Sequence, residues 1–454
     1  MNPSLDSLRK DAFSIFQAGI VAADPYQAVK NSLSMKKDSL EIALDLNDSS
    51  KKLRGSWNKI HIFAFGKAAC GMAKAAVEII PMHYLASTPL AITNYGNELP
   101  LGNIEIITAG HPLPNSEGQK AAECIIKRLS KTKENELVLA LISGGGSAMI
   151  PSPLTDISLE DKQITTDLLL TSGASIDQIN TVRKHLSQLK GGHFARLASP
   201  ATLHALILSD VLTDEISTIA SGPTVPDKTT FKEAINILHA TNIWNKTPLT
   251  VQHVLEAGVS GEIDETPKLN HPCFKNSSYT VIGSNSISLN AATSSAAALN
   301  YQTDIYSSNL SGEAKVEAKK LLLYASQQVK KGLTRSTAFL AGGETTVKVN
   351  GTGLGGRNQE MSLAFAIAAE KNALAHKWVF LSGGTDGRDG PTDAAGGIVD
   401  QKTISRLNKQ KINPEEKLNN NDSYSALKES NGLVITGPTG TNVADLQILL
   451  IQPE

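Results

Sequence analysis

The chain alternates short, continuously apolar runs with longer stretches of helical periodicity. KIHIFAF (59–65) leads into GKAACGMAKAAVEII, LVLALI (137–142) into SGGGSA, and LHALILS (203–209) into DVLTDE. YTVIG (279–283) leads into SNSISLNAATSSAAALN, and KWVFLS (377–382) into GGTDGRDG. Residues 4–32 read as one amphipathic helix, and ADLQILLIQ (444–452) as a last strand. Apolar runs without polar alternation, alternating with helices, predict a parallel sheet covered on both faces. The fold class is therefore α/β, repeated in two domains. The polar region 224–275, with PDKTT, NKTPLT and GVSGEIDETPKLNHPC, carries the boundary. This divides the chain into 1–245 and 246–454, with the last strand able to return to either sheet. No fixed-period repeat or low-complexity tract is present.

Size and charge narrow the function classes. A chain of 454 residues can bury two cores without disulfides or metals. Cys70, Cys124 and Cys273 are far apart and form no CxxC pair, which argues against a disulfide framework or structural zinc and suits a reducing cytoplasm. The 43 Lys+Arg and 44 Asp+Glu leave a net charge of −1, without the basic excess of a general nucleic-acid binder or a polybasic membrane protein. The start, MNPSLDSLRKDAFSIF, carries charges where a signal peptide needs an apolar run, and no stretch approaches the ~18 apolar residues of a spanning helix. The expected partners are small molecules, and the expected state is a monomer or small homo-oligomer.

In open α/β sheets, ligands bind beyond the carboxyl ends of the strands. Here those positions hold Gly66-Lys67, Ser143-Gly144-Gly145-Gly146-Ser147, Asp210, Gly283-Ser284-Asn285 and Gly383-Gly384-Thr385-Asp386. Any one of them alone reads as a tight turn; five at matching positions point to a site. Ser143 to Ser147 suits a phosphate cradle, because glycines let backbone N–H groups approach an anion. It is neither GxxxxGK[ST] nor GxSxG. Lys67 can reach a phosphate or carboxylate, or simply be solvated. In INTVRKHLSQLK (179–190), helical spacing gathers Asn180, Arg183, Lys184, Ser187 and Lys190 on one polar face, opposite Val182, Leu186 and Leu189. That face is either solvated or holds an anionic substrate. Asp210, with Asp214 as a second candidate, can hold Mg²⁺, accept a hydroxyl proton or close an Asx turn.

Gly351 to Gly356 matches GxGxxG between a strand (TVKV) and a helix (RNQEMSLAFAIAAE), the context of a dinucleotide fingerprint. No second strand ending in an acid follows about 20 residues on. Arg357, Asn358 and Glu360 crowd the helix start, and an arginine there suits a phosphoryl group. Asp386, Asp389 and Asp393 suit a Mg²⁺ or substrate loop, or a plain acidic turn; Gly397 at the twelfth place excludes an EF-hand. Fifteen of the 35 glycines fall between Gly342 and Gly440, so the C-terminal half reads as the glycine-loop wall of an anion site.

The set of motifs resembles the glycerate 2-kinases of the MOFRL type, formerly often labelled hydroxypyruvate reductases. The resemblance covers nearly the whole chain. It rests on FGKAACGMAKA (65–75), AGHPLPNSEG (109–118), LISGGGSAM (141–149), INTVRKHLSQLKGG (179–192), SDVLTDEISTIASGPTVPD (209–227), GGETTV (342–347), GLGGRNQE (353–360), SGGTDGRDGPTDAAG (382–396) and TGPTGTNVADL (436–446). It implies an N-terminal Rossmann-like domain, a C-terminal MOFRL-type α/β domain and a site in the cleft between them. It also implies ATP-dependent phosphorylation of D-glycerate at the 2-hydroxyl, with Mg²⁺. Lys67 and Arg357 carry over as catalytic residues that neutralise the transferring phosphoryl group. Ser143 to Ser147, Asp210, Asn285, Glu344, Asn358 and Asp386 carry over as cleft residues, with Asp210 or Asp386 holding Mg²⁺. Arg183, Lys184 or Lys190 would hold the substrate carboxylate, and the two domains would close on a hinge. The sequence departs from the family at Leu212-Thr213-Asp214 and at Asn115, where an acid is usual. Two other readings are a nicotinamide-dependent hydroxypyruvate reductase, resting on Gly351 to Gly356, and a non-catalytic carboxylate- or nucleotide-binding sensor.

Overall fold

The computed structural model describes residues 4–46, 48–211, 215–372 and 374–453; Asp214 lies outside them. Two compact units are present. One comprises Pro25–Ser209 and Asp214–Ile282, the other Met1–Asp24, Asp210–Thr213 and Gly283–Glu454. The linear division into 1–245 and 246–454 follows chain order, whereas the units follow packing and cross it. The expected helix over 4–32 is two helices, Leu5–Ala22 and Pro25–Ser32. Proline lacks the N–H that would continue the first helix but suits the opening position of the second.

The first unit is built on a six-stranded sheet. Its order is Glu105–Ala109, Leu90–Asn94, Lys59–Phe65, Glu136–Ile142, Thr202–Leu208 and Ser277–Gly283. The pairings through the first five strands are parallel. In Lys59–Phe65 and Glu136–Ile142 every residue after the first is buried, the signature of a strand covered on both faces. A small antiparallel sheet, Leu33–Lys36, Ser39–Ala43 and Lys52–Gly55, belongs to the same unit.

The second unit also has six strands, in the order Gln302–Glu313, Thr337–Thr346, Asp445–Gln452, Lys377–Gly384, Gly396–Asp400 and Leu433–Val434. Only the first pairing is parallel; the other four are antiparallel. The α/β class holds in both units, with the second sheet mixed rather than parallel. The last strand inserts in mid-sheet, and its eight residues are all buried. Leu446, Ile448 and Leu450 join the core formed with Leu8, Ile15, Phe16 and Leu289. Leu449 and Ile451 join the opposite core, with Leu321, Phe365 and Phe380. A strand packed against helices on both sides reads as continuously apolar whichever way it runs, so the pattern could not give its direction.

Candidate functional site

In the first unit, three strand ends converge on one glycine loop. Gly66, just past Lys59–Phe65, has φ +122°, and a Cβ there would lie 2.3–2.4 Å from Ser143. Ser143 Oγ accepts from the Ala68 N–H (3.1 Å), and the Lys67 N–H donates to the Gly144 carbonyl (2.9 Å). These bonds tie Lys67 to the Ser143–Ser147 loop. Gly145 has φ +83°, and a Cβ there would meet the His111 ring at 3.0–3.1 Å. Among the described residues, the N–H groups of Gly144 and Gly145 find no protein acceptor, and the Lys67 ammonium makes no hydrogen bond or ion pair. The loop therefore presents unspent donors beside an unspent cation, the arrangement an anion needs.

His111 was not singled out from the sequence. Desolvation, then the Lys67 charge, lowers its imidazole pKa. Its signal was position, since it follows the strand Glu105–Ala109, which the apolar pattern does not reveal. Asn115, where the family usually has an acid, accepts from the Gly110 and Gly118 N–H groups and caps the helix Ser116–Leu129. Asparagine and aspartate cap about equally well, so this departure preserves the local structure.

The polar face expected over 179–190 is not one helical face. The helix is Ile176–His185, opened by a Ser175/Gln178 capping box, and it stops before Leu186. The following segment turns inward, and Gln188 N donates to Ser152 O (2.9 Å). Lys184 is buried against Asp227 (3.3 Å). Lys190 is fully buried, with Nζ on the Ile150 carbonyl (3.2 Å). Asn180 Oδ1 accepts from Ser221 Oγ (3.1 Å), and Ser221 Oγ meets Ser147 Oγ at 2.5 Å. Ser221 was also missed. Ala220, Ser221 and Gly222 all have φ between +50° and +60°. Two consecutive non-glycine residues in the left-handed region cost energy, and such strain concentrates at functional loops. Here it delivers Ser221 to the end of the glycine loop.

In the second unit, Gly351 to Gly356 does not form a phosphate turn. The strand before it ends at Thr346, the first residue of the expected TVKV. The N–H groups of Asn350 and Gly351 donate to Asn421 Oδ1, that of Thr352 to Asn420 Oδ1, that of Gly353 to the Asn420 carbonyl, and that of Leu354 to Asp422 Oδ1. The helix Arg357–Lys371 has its first turn occupied: Asn358 and Gln359 N–H groups donate to Asp389 Oδ1 and Oδ2 (3.1 and 2.8 Å). Asp389 thus stands where a dinucleotide pyrophosphate would sit. Its carboxyl pKa is raised by burial, with those N–H groups opposing the rise.

Arg357 is held by two carboxylates. Nε and Nη2 donate to Asp445 Oδ2 and Oδ1 (2.6 and 2.9 Å), and Nη1 lies 3.0 Å from Glu344. Asp445 is 0 % exposed, and burial pushes its carboxyl up to about 6 while Arg357 pulls against the rise. Asp445 was hidden inside the last apolar run. Asn285 braces the backbone there, its Nδ2 donating to the carbonyls of Val443 and Asp445 (2.8 and 2.9 Å). Asn358 Oδ1 accepts from Ser382 Oγ (2.6 Å). Glu360 is buried, with Oε2 on Asn421 and Oε1 unpartnered, and burial raises its pKa. Asp386 is half-buried, and Oδ1 accepts from the Arg388 N–H (3.0 Å). Asp210 lies two residues beyond the strand Thr202–Leu208.

Residues 11–256 match a domain of unknown function (DUF4147), and residues 337–445 match the MOFRL family. The chain is 40% identical over 447 residues to a glycerate 2-kinase of Pyrococcus horikoshii, covering 98% of this chain and 97% of that one. It is 41% identical over 450 residues to a D-glycerate 2-kinase of Thermotoga maritima, covering 98% and 99%. A crystal structure of a glycerate kinase from Thermotoga maritima superposes with a TM-score of 0.86 at 40% identity, covering 98% of this chain and all of that one.

Proposed function

Since the chain belongs to the glycerate 2-kinase family, with a MOFRL domain in its C-terminal half, we propose that it phosphorylates D-glycerate at the 2-hydroxyl. ATP is the donor, and the products are 2-phospho-D-glycerate and ADP. The observation that carries this reading is end-to-end similarity to two named glycerate 2-kinases at 40% and 41% identity. The open donors of Gly144 and Gly145 beside Lys67 support it. The spent donors of Gly351 to Leu354 weigh against the nicotinamide reading.

Phosphoryl transfer needs positioning and charge neutralisation. The 2-hydroxyl oxygen forms the new P–O bond, and the bond from the γ-phosphorus to the bridging oxygen breaks. Lys67 and Arg357 are assigned to the charge of the transferring group. Asp386 and Asp210 are assigned to Mg²⁺ and to the hydroxyl proton. Mg²⁺ binds through one or two carboxylates with phosphate oxygens and water, so it needs no dense ligand cluster. Asp386 fits that demand, since among the described residues Oδ2 takes no hydrogen bond. When bound, Mg²⁺ would offset the charge of the donor phosphates.

The test is ADP release with D-glycerate and related hydroxy acids, with the product resolved as 2- or 3-phosphoglycerate. We expect D-glycerate-dependent ADP and 2-phosphoglycerate. Oxidation of NADH or NADPH by hydroxypyruvate, without ADP formation, would overturn the reading. Among the described residues no helix is long and apolar enough to cross a membrane.

Asp445 gives a pH prediction. Below about pH 6 its carboxyl gains a proton and loosens the Arg357 fork, so kcat should fall on the acid side. The folded pKa lies above the unfolded value, so this group binds a proton on folding. Its contribution to stability is fully present below about pH 4 and is lost as pH rises through 6. Acid inactivation near pH 6 should therefore precede unfolding, as read by activity and circular dichroism on one sample. Asp445→Asn should flatten that acid limb. An unchanged limb would remove Asp445 from the catalytic profile.

A further inference from the structure

In the second unit, the helices Ala314–Lys330, Arg357–Lys371 and Pro414–Asn419 frame a cavity of about 480 Å³, the size of a small-molecule pocket. Small side chains make the room. Ala364 and Ala368, one helical turn apart, present only methyl groups to it. Protein interiors are normally close-packed, and a leucine at either position would take up much of the space. The floor is apolar and buried: Leu322 is 1 % exposed, Ala364 2 % and Ala368 5 %. Leu323, at the lip, is 55 % exposed, so an apolar ligand that covers it gains by removing that surface from water.

The lip is cationic. Lys315, Lys319 and Lys371 stand around the cavity against one carboxylate, Glu415. Lys371 is paired with Glu415 (2.8 Å) and Lys315 with Glu313 (2.8 Å). Among the described residues, Lys319 makes no hydrogen bond or ion pair. It lies one turn from Lys315 on the same helix face, where like charges repel, and an anion at the lip relieves that repulsion. Little here could read a base or a sugar. Asn372 already donates its Nδ2 to the Ala368 carbonyl (2.7 Å), and among the described residues no aromatic ring lines the cavity. We propose that this cavity binds one molecule of an aliphatic carboxylate, with its chain on Leu322, Ile367 and Leu418 and its headgroup at Lys319. From Ala364 to Lys371 the helix wall rises about 10 Å, comparable to the extended length of octanoate. The cavity lies toward the end of that helix opposite Arg357, apart from the residues assigned to phosphoryl transfer, and the proposal does not rest on the kinase reading.

The experiment titrates octanoate into the whole protein by isothermal calorimetry. Octylammonium, with the same chain and the opposite charge, and acetate, with the charge and almost no chain, are the controls. Octanoate should bind one molecule per chain and raise the melting temperature, and both controls should bind about 10-fold more weakly or worse. Lys319→Glu should weaken octanoate by about 10-fold and remove its advantage over octylammonium. Leu323→Asp should weaken octanoate by a similar factor. Both side chains are exposed, so both variants should fold as wild type does. Ala368→Leu fills the cavity, so it should abolish the octanoate response while melting no lower than wild type. If that variant does not fold, Lys319→Glu and Leu323→Asp decide. Absence of octanoate binding, equal binding of octylammonium, or unchanged octanoate affinity in Lys319→Glu and Leu323→Asp would each overturn the proposal.

Discussion

Replacing Arg357 with lysine should lower kcat by about 10²–10³ while the protein stays folded. Three of the five guanidinium N–H donors are directed at Asp445 and Glu344, which fixes the plane of the group and leaves two for a phosphoryl oxygen. Lysine keeps the charge but loses the fork, so it cannot satisfy Asp445 twice and still face a ligand. Alanine is the poorer test, because it strands the fully buried Asp445 carboxylate and should destabilise by about 3–5 kcal/mol. Steady-state kinetics on Arg357→Lys, with melting as the control, decides the matter. Near-native kcat in a folded variant would end the assignment. A double-mutant cycle with Asp445→Asn should be strongly non-additive, since both changes release the same fork.

Lys67→Met should show a rate loss of similar size, about 10²–10³, with a different stability signature. Among the described residues the Lys67 ammonium makes no hydrogen bond or ion pair, so stability should stay within about 0.5 kcal/mol of wild type. His111 supplies an independent reporter. The Lys67 charge helps to hold its imidazole pKa down, so the variant should show His111 titrating higher by NMR. A folded Lys67→Met protein with native turnover would make Lys67 a loop residue only. An unmoved His111 resonance would mean that the ammonium points elsewhere.

Much of this architecture could be read before any coordinates. The apolar runs at 59–65, 137–142, 203–209, 279–283, 377–382 and 444–452 all lie on strands. Burial on two faces makes such a run conspicuous. The same burial conceals strand direction, which is why the antiparallel insertion of Asp445–Gln452 was not foreseen. Periodicity placed Arg183, Lys184 and Lys190 on one helical face, but it cannot distinguish solvent from a buried polar interior. The chain in fact turns at Leu186, leaving Lys184 ion-paired and Lys190 enclosed. Two glycine loops carried phosphate-type motifs, Ser143 to Ser147 as a cradle and Gly351 to Gly356 as a GxGxxG match lacking the acid that should follow. What separates them is whether their N–H groups are already engaged, and that depends on Asn420, Asn421 and Asp422, some seventy residues downstream of the Gly351 loop. Three aspartates in GGTDGRDGPTD were indistinguishable by spacing. Only Asp389 reaches the helix start, whereas Asp386 stays half-buried and Asp393 accepts from the Tyr424 hydroxyl.

The mid-sheet position of Asp445–Gln452 also bears on how this unit assembles. The strand follows in the chain both strands that it separates, Thr337–Thr346 and Lys377–Gly384. Until it inserts, those two strands present unpaired inner edges, and the closing contacts are distant in sequence. Such an intermediate would fold slowly and be prone to aggregation. It would also lack the carboxylate that orients Arg357. Completion of the sheet and arming of the arginine are thus one event, so a molecule stalled short of that closure is silent rather than misdirected.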